Sequence, residues 1–160
     1  MSSDTVLIEG VTLTKLAQIS DERGAVLHML RSDSSEFTRF GECYFSEVLP
    51  GVVKAWKRHK SQTQNLAVPV GRIRMVIYDD REASISRGKL QVLELGRPDS
   101  YLRLQVPPGL LYGFSCISSM SALVANCVDV PHSSEECDLY PWDYPAIPYQ
   151  WMEINERYGR

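Results

Sequence analysis

Nothing in the 160 residues approaches the roughly 18 to 20 consecutive apolar residues that a membrane-crossing helix needs. The opening Met-Ser-Ser-Asp-Thr-Val lacks the basic start and apolar run of a secretory signal. The chain is therefore expected to be cytoplasmic, with no membrane partner. It also lacks an excess of charge. Lys and Arg number 17 and Asp and Glu 20, a net charge of -3, which gives nucleic acid no electrostatic reason to bind. The cysteines, Cys43, Cys116, Cys127 and Cys137, form no CxxC pair and no repeated spacing. In a cytoplasmic chain they are expected to stay reduced, with Cys116 and Cys127 as small core residues. No Pro/Ser-rich linker, low-complexity tract or internal repeat divides the sequence, so residues 1–160 read as one domain.

What is present is a succession of short β-rich runs punctuated by Gly, Pro, Asp and Ser. Val11–Leu16 and Tyr101–Val106 alternate, the latter placing Leu102, Leu104 and Val106 on one face. Arg72–Tyr78 groups Ile73, Met75 and Ile77 between Gly71 and the turn-prone Asp79-Asp80. Lys89–Leu95 and Ala122–Val128 read as further strands, and Ser35–Phe40 as a short helix. Many short strands with closely spaced turns predict an all-β sandwich or barrel. Residues 1–20 read as N-terminal strands and 21–130 as the barrel. Residues 140–151, dense in Pro and aromatics, read as an extended strap anchored by Trp142 and Trp151 over the barrel end.

The segment Gly51–Gly71 carries the candidate chemistry. Gly51, Lys57, His59, Gln64 and Gly71 fall at the positions of the first cupin motif, and Pro107-Pro-Gly-Leu-Leu-Tyr112 resembles the second. Positions 57 and 59 lie two apart on a strand, so both side chains face the barrel interior, and Trp56, out of phase with them, is expected to pack between sheets. A metal-binding cupin presents His, His, Glu and His where this chain has Lys57, His59, Gln64 and Tyr112. A lysine ammonium repels a divalent cation, and one imidazole does not hold one alone. The expectation is a cupin jelly roll with no metal and no cofactor.

Four segments resemble the dTDP-4-dehydrorhamnose 3,5-epimerase family, in that family's order. They are Asp21-Glu-Arg-Gly24; Tyr78-Asp-Asp-Arg81 with Ser84 and Gly88; Val106–Phe114; and Trp142, Ala146, Ile147 and Trp151 of the strap. The resemblance implies a jelly-roll homodimer that binds a nucleotide-linked 4-keto-6-deoxy sugar. It also implies enolate chemistry: a base removes a proton beside the keto group, a cation or donor holds the enolate oxygen, and an acid returns the proton on the opposite face.

Mapped onto this sequence, the family's base histidine falls on Lys57, its enolate-stabilising lysine on Gln64, and the histidine of its "AHGF" segment on Tyr112. Its acid tyrosine falls near Val124 or Ala125, where no tyrosine stands, and its supporting aspartate lies beyond the strap. Arg23 keeps the family's phosphate-contacting arginine, and Lys54 stands for a second one without the bidentate fork. Lys57-Arg-His59-Lys-Ser-Gln62 is also similar to the "HAHK" motif of sugar 3,4-ketoisomerases.

The candidate set is thus Lys57, His59 and Tyr112 for acid–base work and Arg23, Lys54 and Gln64 for substrate binding, with Asp79, Asp80 and Arg81 expected to build a turn. The leading function is a metal-independent epimerase or isomerase of a nucleotide-linked 4-keto-6-deoxy sugar. Two others stay open: a barrel that binds a sugar nucleotide or metabolite without turnover, and a lyase or cyclase acting on another acidic carbonyl compound.

Overall fold

The computed structural model describes residues 5–152, folded as twelve strands with no helix among the described residues. One five-stranded antiparallel sheet, sheet I, has the order β1 (Thr12–Lys15), β9 (Leu102–Val106), β6 (Gln64–Val70), β11 (Ala122–Val128), β4 (Glu42–Val48). Facing it, sheet II has the order β12 (Cys137–Leu139), β5 (Val53–His59), β10 (Leu111–Cys116), β7 (Arg72–Tyr78), β8 (Leu90–Gly96). A separate hairpin joins β2 (Gln18–Asp21) to β3 (Gly24–Leu27). This is the all-β jelly-roll sandwich that the sequence predicts.

Strand alternation places the core. Ile73, Met75 and Ile77 point between the sheets, with Leu104, Val106, Val68 and Val124 opposite, all essentially without solvent contact. Burying a side chain of this size contributes roughly 1.5–3 kcal/mol. Val76, one step out of phase, lies on the outer face of sheet II in a second cluster with Trp56, Leu111, Ile147 and Trp151.

Four expectations are corrected. Trp56 packs on the outer face of sheet II, not between the sheets, and the strap lies over that face rather than the barrel end. Trp56 exchanges backbone hydrogen bonds with Tyr140 at 2.9 and 3.0 Å, and its Nε1–H donates to Trp142 O at 2.9 Å. Segment 35–40 is not helical: turns close at Ser34 and Phe37, and Glu36 is spent on sheet I, its carboxylate holding Arg103 and its carbonyl Gln105. Cys116 is a core residue as expected, but Cys127 is half-buried on the outer face of sheet I beside Cys43. The Asp79–Arg81 turn forms as expected, the Asp79 carboxylate accepting bonds from Arg81, Ser84 and Ser86.

Candidate active site

The site is set by an irregularity in β5. Tyr112 of β10 pairs with Lys57, but Phe114, two residues on, pairs with Lys54, so β5 carries one residue more than its partner. The bulge re-phases the strand. Trp56 turns outward, while Lys54, Lys57 and His59 share the inner face with their partners Tyr112 and Phe114. The strands approach so closely here that a Cβ on Gly113 would lie 2.5 Å from Ala55 Cβ, which accounts for the glycine in Tyr112-Gly-Phe114.

Between the edge of sheet I and the edge of sheet II opens a cleft of ≈ 550 Å³, walled by Glu42 and Tyr44 of β4, Lys57 and His59 of β5, Cys137 and Leu139 of β12, and His132 and Ser134. His59 is buried, its Nε2 lying 3.1 Å from Tyr112 Oη and its Nδ1 3.9 Å from Glu136 Oε1. Burial, then the Lys57 charge, pushes the imidazole down to about 4, against the opposing pull of Glu136. It is therefore neutral at neutral pH. Tyr112 is deeply buried, and burial foremost drives its hydroxyl well above the ordinary phenol range. The ionised Glu136 carboxylate on the Nδ1 side favours the tautomer with its hydrogen on Nδ1, and in that tautomer Nε2 accepts from the Tyr112 hydroxyl. Burial works against the charge of Glu136, but hydrogen bonds from Ser61 Oγ and N and from Gln62 N outweigh it and hold the carboxyl at about 2.

The six candidate residues divide. Lys57 and His59 stand together on the cleft wall, and Tyr112 sits behind His59. The Lys57 ammonium makes no hydrogen bond or ion pair with a described residue. Lys54 is on the same face but occupied, its Nζ donating to Ser46 Oγ at 2.9 Å and to Glu47 O; burial, then the Lys57 charge, lowers its pKa. Gln64 is fully buried, with both ends of its amide engaged: Nε2 donates to Gln62 and Oε1 accepts from Asn126, whose Nδ2 also donates to Tyr44 Oη. Its reach to the cleft is thus through Asn126 and Tyr44. Arg23 lies away from the cleft, in the exposed β2–β3 turn, paired with Asp21 at 2.5 Å.

Two residues escaped the sequence reading. Tyr44 had a signal, the alternation Glu42-Cys-Tyr-Phe-Ser46, which puts Glu42, Tyr44 and Ser46 on one face. It faces Asn126 across the β4–β11 ladder, next to where the family's acid tyrosine would stand. Glu136 had none, because only tertiary folding brings it beside His59.

Residues 5–158 match the family model described as dTDP-4-dehydrorhamnose 3,5-epimerase. The chain is 34% identical over 148 residues to the probable low-salt glycan biosynthesis epimerase Agl13 of Haloferax volcanii, covering 90% of this chain and 94% of that protein. It is 29% identical over 147 residues to the spore coat polysaccharide biosynthesis protein SpsL of Bacillus subtilis, covering 91% and 97%. Among solved structures, a dTDP sugar isomerase from Desulfovibrio desulfuricans G20 superposes with a TM-score of 0.91 at 51% identity, covering 96% of this chain and 98% of that one. With the sandwich and the cleft in place, the match across almost all of the sequence makes the chain a member of the dTDP-4-dehydrorhamnose 3,5-epimerase family.

Proposed function

We propose that this protein is a metal-independent epimerase or isomerase of a nucleotide-linked 4-keto-6-deoxy sugar, with an acid–base set rebuilt around His59. Family membership and the likeness to a dTDP sugar isomerase support the substrate class. The observation that carries the chemistry is Lys57, a half-buried cation on the cleft wall with no described partner, beside a neutral imidazole backed by a carboxylate.

The sugar's 4-keto group acidifies its C3 and C5 hydrogens. Lys57 holds the oxygen as negative charge develops there, an electrostatic contribution on the order of 3 kcal/mol in a water-poor site. His59 and Tyr112 take up the proton as a unit. As Nε2 gains a hydrogen, the Tyr112 hydroxyl turns from donor to acceptor, and the imidazolium is balanced by Glu136. Tyr44 stands on the facing sheet with its oxygen accepting from Asn126, so its hydroxyl hydrogen is left to point into the cleft. Base on one sheet and acid on the other is the arrangement that inversion at carbon requires. Lys54 and Gln64 hold the wall behind the ligand, and Arg23, away from the cleft of its own chain, reaches nucleotide phosphates from the β2–β3 hairpin of a second copy.

We further propose a cytoplasmic homodimer. Among the described residues no helix is long and apolar enough to cross a membrane, and Ile19 and Val26, opposed in the β2–β3 ladder, are 59% and 61% exposed. A second reading, a barrel that binds without turnover, is favoured by one observation: both nitrogens of His59 already face protein groups.

Proton NMR in heavy water with dTDP-4-keto-6-deoxyglucose separates the two. Loss of the C3 or C5 signal, abolished in Lys57→Met, supports the enzyme. Line broadening without exchange supports the binding barrel, and neither effect overturns both.

A further inference from the structure

On the outer face of sheet I, away from the cleft, Cys43 of β4 and Cys127 of β11 are directly opposed in the antiparallel register. Both are free thiols, and their sulfurs lie 3.2 Å apart. Directly opposed residues of an antiparallel pair have Cα atoms ~4.5–5.5 Å apart, inside the range a disulfide spans. The bond could therefore close with little backbone movement. The two thiols are not equivalent. Cys43 is exposed, whereas Cys127 is half-buried and donates its hydrogen to the Cys43 sulfur. Burial, then that bond, pushes the Cys127 thiol up to about 12, so Cys127 keeps its proton and Cys43 is the sulfur available to attack. The other two cysteines stand elsewhere, Cys116 in the core between the sheets and Cys137 on the cleft wall.

We infer that Cys43 and Cys127 form a reversible dithiol–disulfide site, closed by small disulfides of the glutathione class and reopened by thiols. The Cys43 thiolate attacks one sulfur of the small disulfide, whose S–S bond breaks; the first thiolate leaves and takes up the proton Cys43 lost. Cys127, losing its proton to solvent, then attacks the Cys43 sulfur of the mixed disulfide and expels the second thiolate, which is protonated in turn. Two protein thiols are oxidised by two electrons, and one small disulfide is reduced to two thiols. Surface exposure marks such a bond as a labile disulfide rather than a structural one. Its neighbours give it a route to the cleft. Glu42 and Tyr44 flank Cys43 on the inner face, and Asn126, next to Cys127, holds the Tyr44 hydroxyl.

The test treats the folded, full-length protein with excess oxidised glutathione, blocks residual thiols by alkylation, and maps cysteines by mass spectrometry. The expected result is a Cys43–Cys127 cross-linked peptide, with Cys116 and Cys137 unlinked, that dithiothreitol opens. In Cys127→Ser the reaction should stop at a glutathione adduct on Cys43. A stable adduct on Cys43 of the unmutated protein, a bond between the Cys43 residues of two copies, or full alkylation of both thiols would each overturn the site.

Discussion

Lys57 and His59 differ in what the fold asks of them: one is left without a described partner, and the other is faced on both sides of its ring. If Lys57 holds an enolate, Lys57→Met should lower kcat by roughly 10²–10³-fold, the usual cost of one such donor, with a much smaller change in KM. Steady-state kinetics on a 4-keto sugar nucleotide decides this, and a KM effect alone would make Lys57 a binding residue. The same substitution removes one of the three causes that lower the His59 pKa, the others being burial and the nearby His132. The imidazole should then titrate above about 4, by NMR, in Lys57→Met. His59 also ties stability to pH. It titrates at 6.5 in the unfolded chain and at about 4 in the folded protein, so between those values the unfolded chain binds more protons. Stability is therefore complete above pH 6.5 and falls as the pH drops towards 4. Glu136, depressed from 4.5 to about 2, adds a second loss at lower pH, between those two values. Urea unfolding at stepped pH should show both limbs, and His59→Gln should remove only the upper one.

At the scale of elements, the bulge in β5 is the device that makes the site, because without the extra residue Lys54 and Lys57 would point to opposite faces. Its weak point is Gly113. A methyl there meets Ala55 Cβ at 2.5 Å and Ala55 Cα at 3.0 Å, so Gly113→Ala should cost about 1–3 kcal/mol. Adding Ala55→Gly removes the nearer clash and should return part of the loss, measured as a double-mutant cycle by denaturant unfolding. If Gly113→Ala is neutral, the strands are not held at this spacing. Strand parity was legible wherever pairing is regular: Arg72–Tyr78 and Leu102–Val106 fall as alternation predicts, and Lys57 and His59 lie together on the near side of the bulge. Across it parity fails between Lys54 and Lys57; Trp56 kept its phase against Lys57 and was misplaced because, in a two-sheet sandwich, the residue out of phase with an inward pair lies on the outer face. Apolar composition marked Cys127 as core, but composition does not distinguish the two faces of a sheet. The helix expected at 35–40 fails for another reason, since Glu36 is recruited by Arg103 and Gln105 of β9, a tertiary demand that local pattern does not contain.

For the molecule as a whole, the motifs made the architecture legible because glycine turns and alternating strands are local signals. The cleft was only half legible, because it is assembled across two sheet edges from distant residues such as Tyr44 and Glu136. The β2–β3 hairpin poses the remaining question of assembly. It belongs to neither large sheet, and its cross-strand pair Ile19 and Val26 is left to solvent, as are both its edges, a pattern that invites pairing with another chain. If that face seats a second copy, Ile19→Asp combined with Val26→Asp should sediment as a monomer where the parent sediments as a dimer, with an unchanged far-ultraviolet spectrum. Arg23, at the tip of the same hairpin, is held among the described residues only by Asp21, in an exposed pair, and such pairs are worth little. The guanidinium is thus free to exchange Asp21 for a ligand phosphate. Arg23→Ala should leave the dimer intact while weakening dTDP binding by roughly 10–100-fold, the equivalent of a charge-assisted hydrogen bond of about 1.5–3 kcal/mol. Calorimetric titration with dTDP reads this directly: unchanged affinity would confine Arg23 to its turn, whereas loss of the dimer in this variant would make it an interface residue instead.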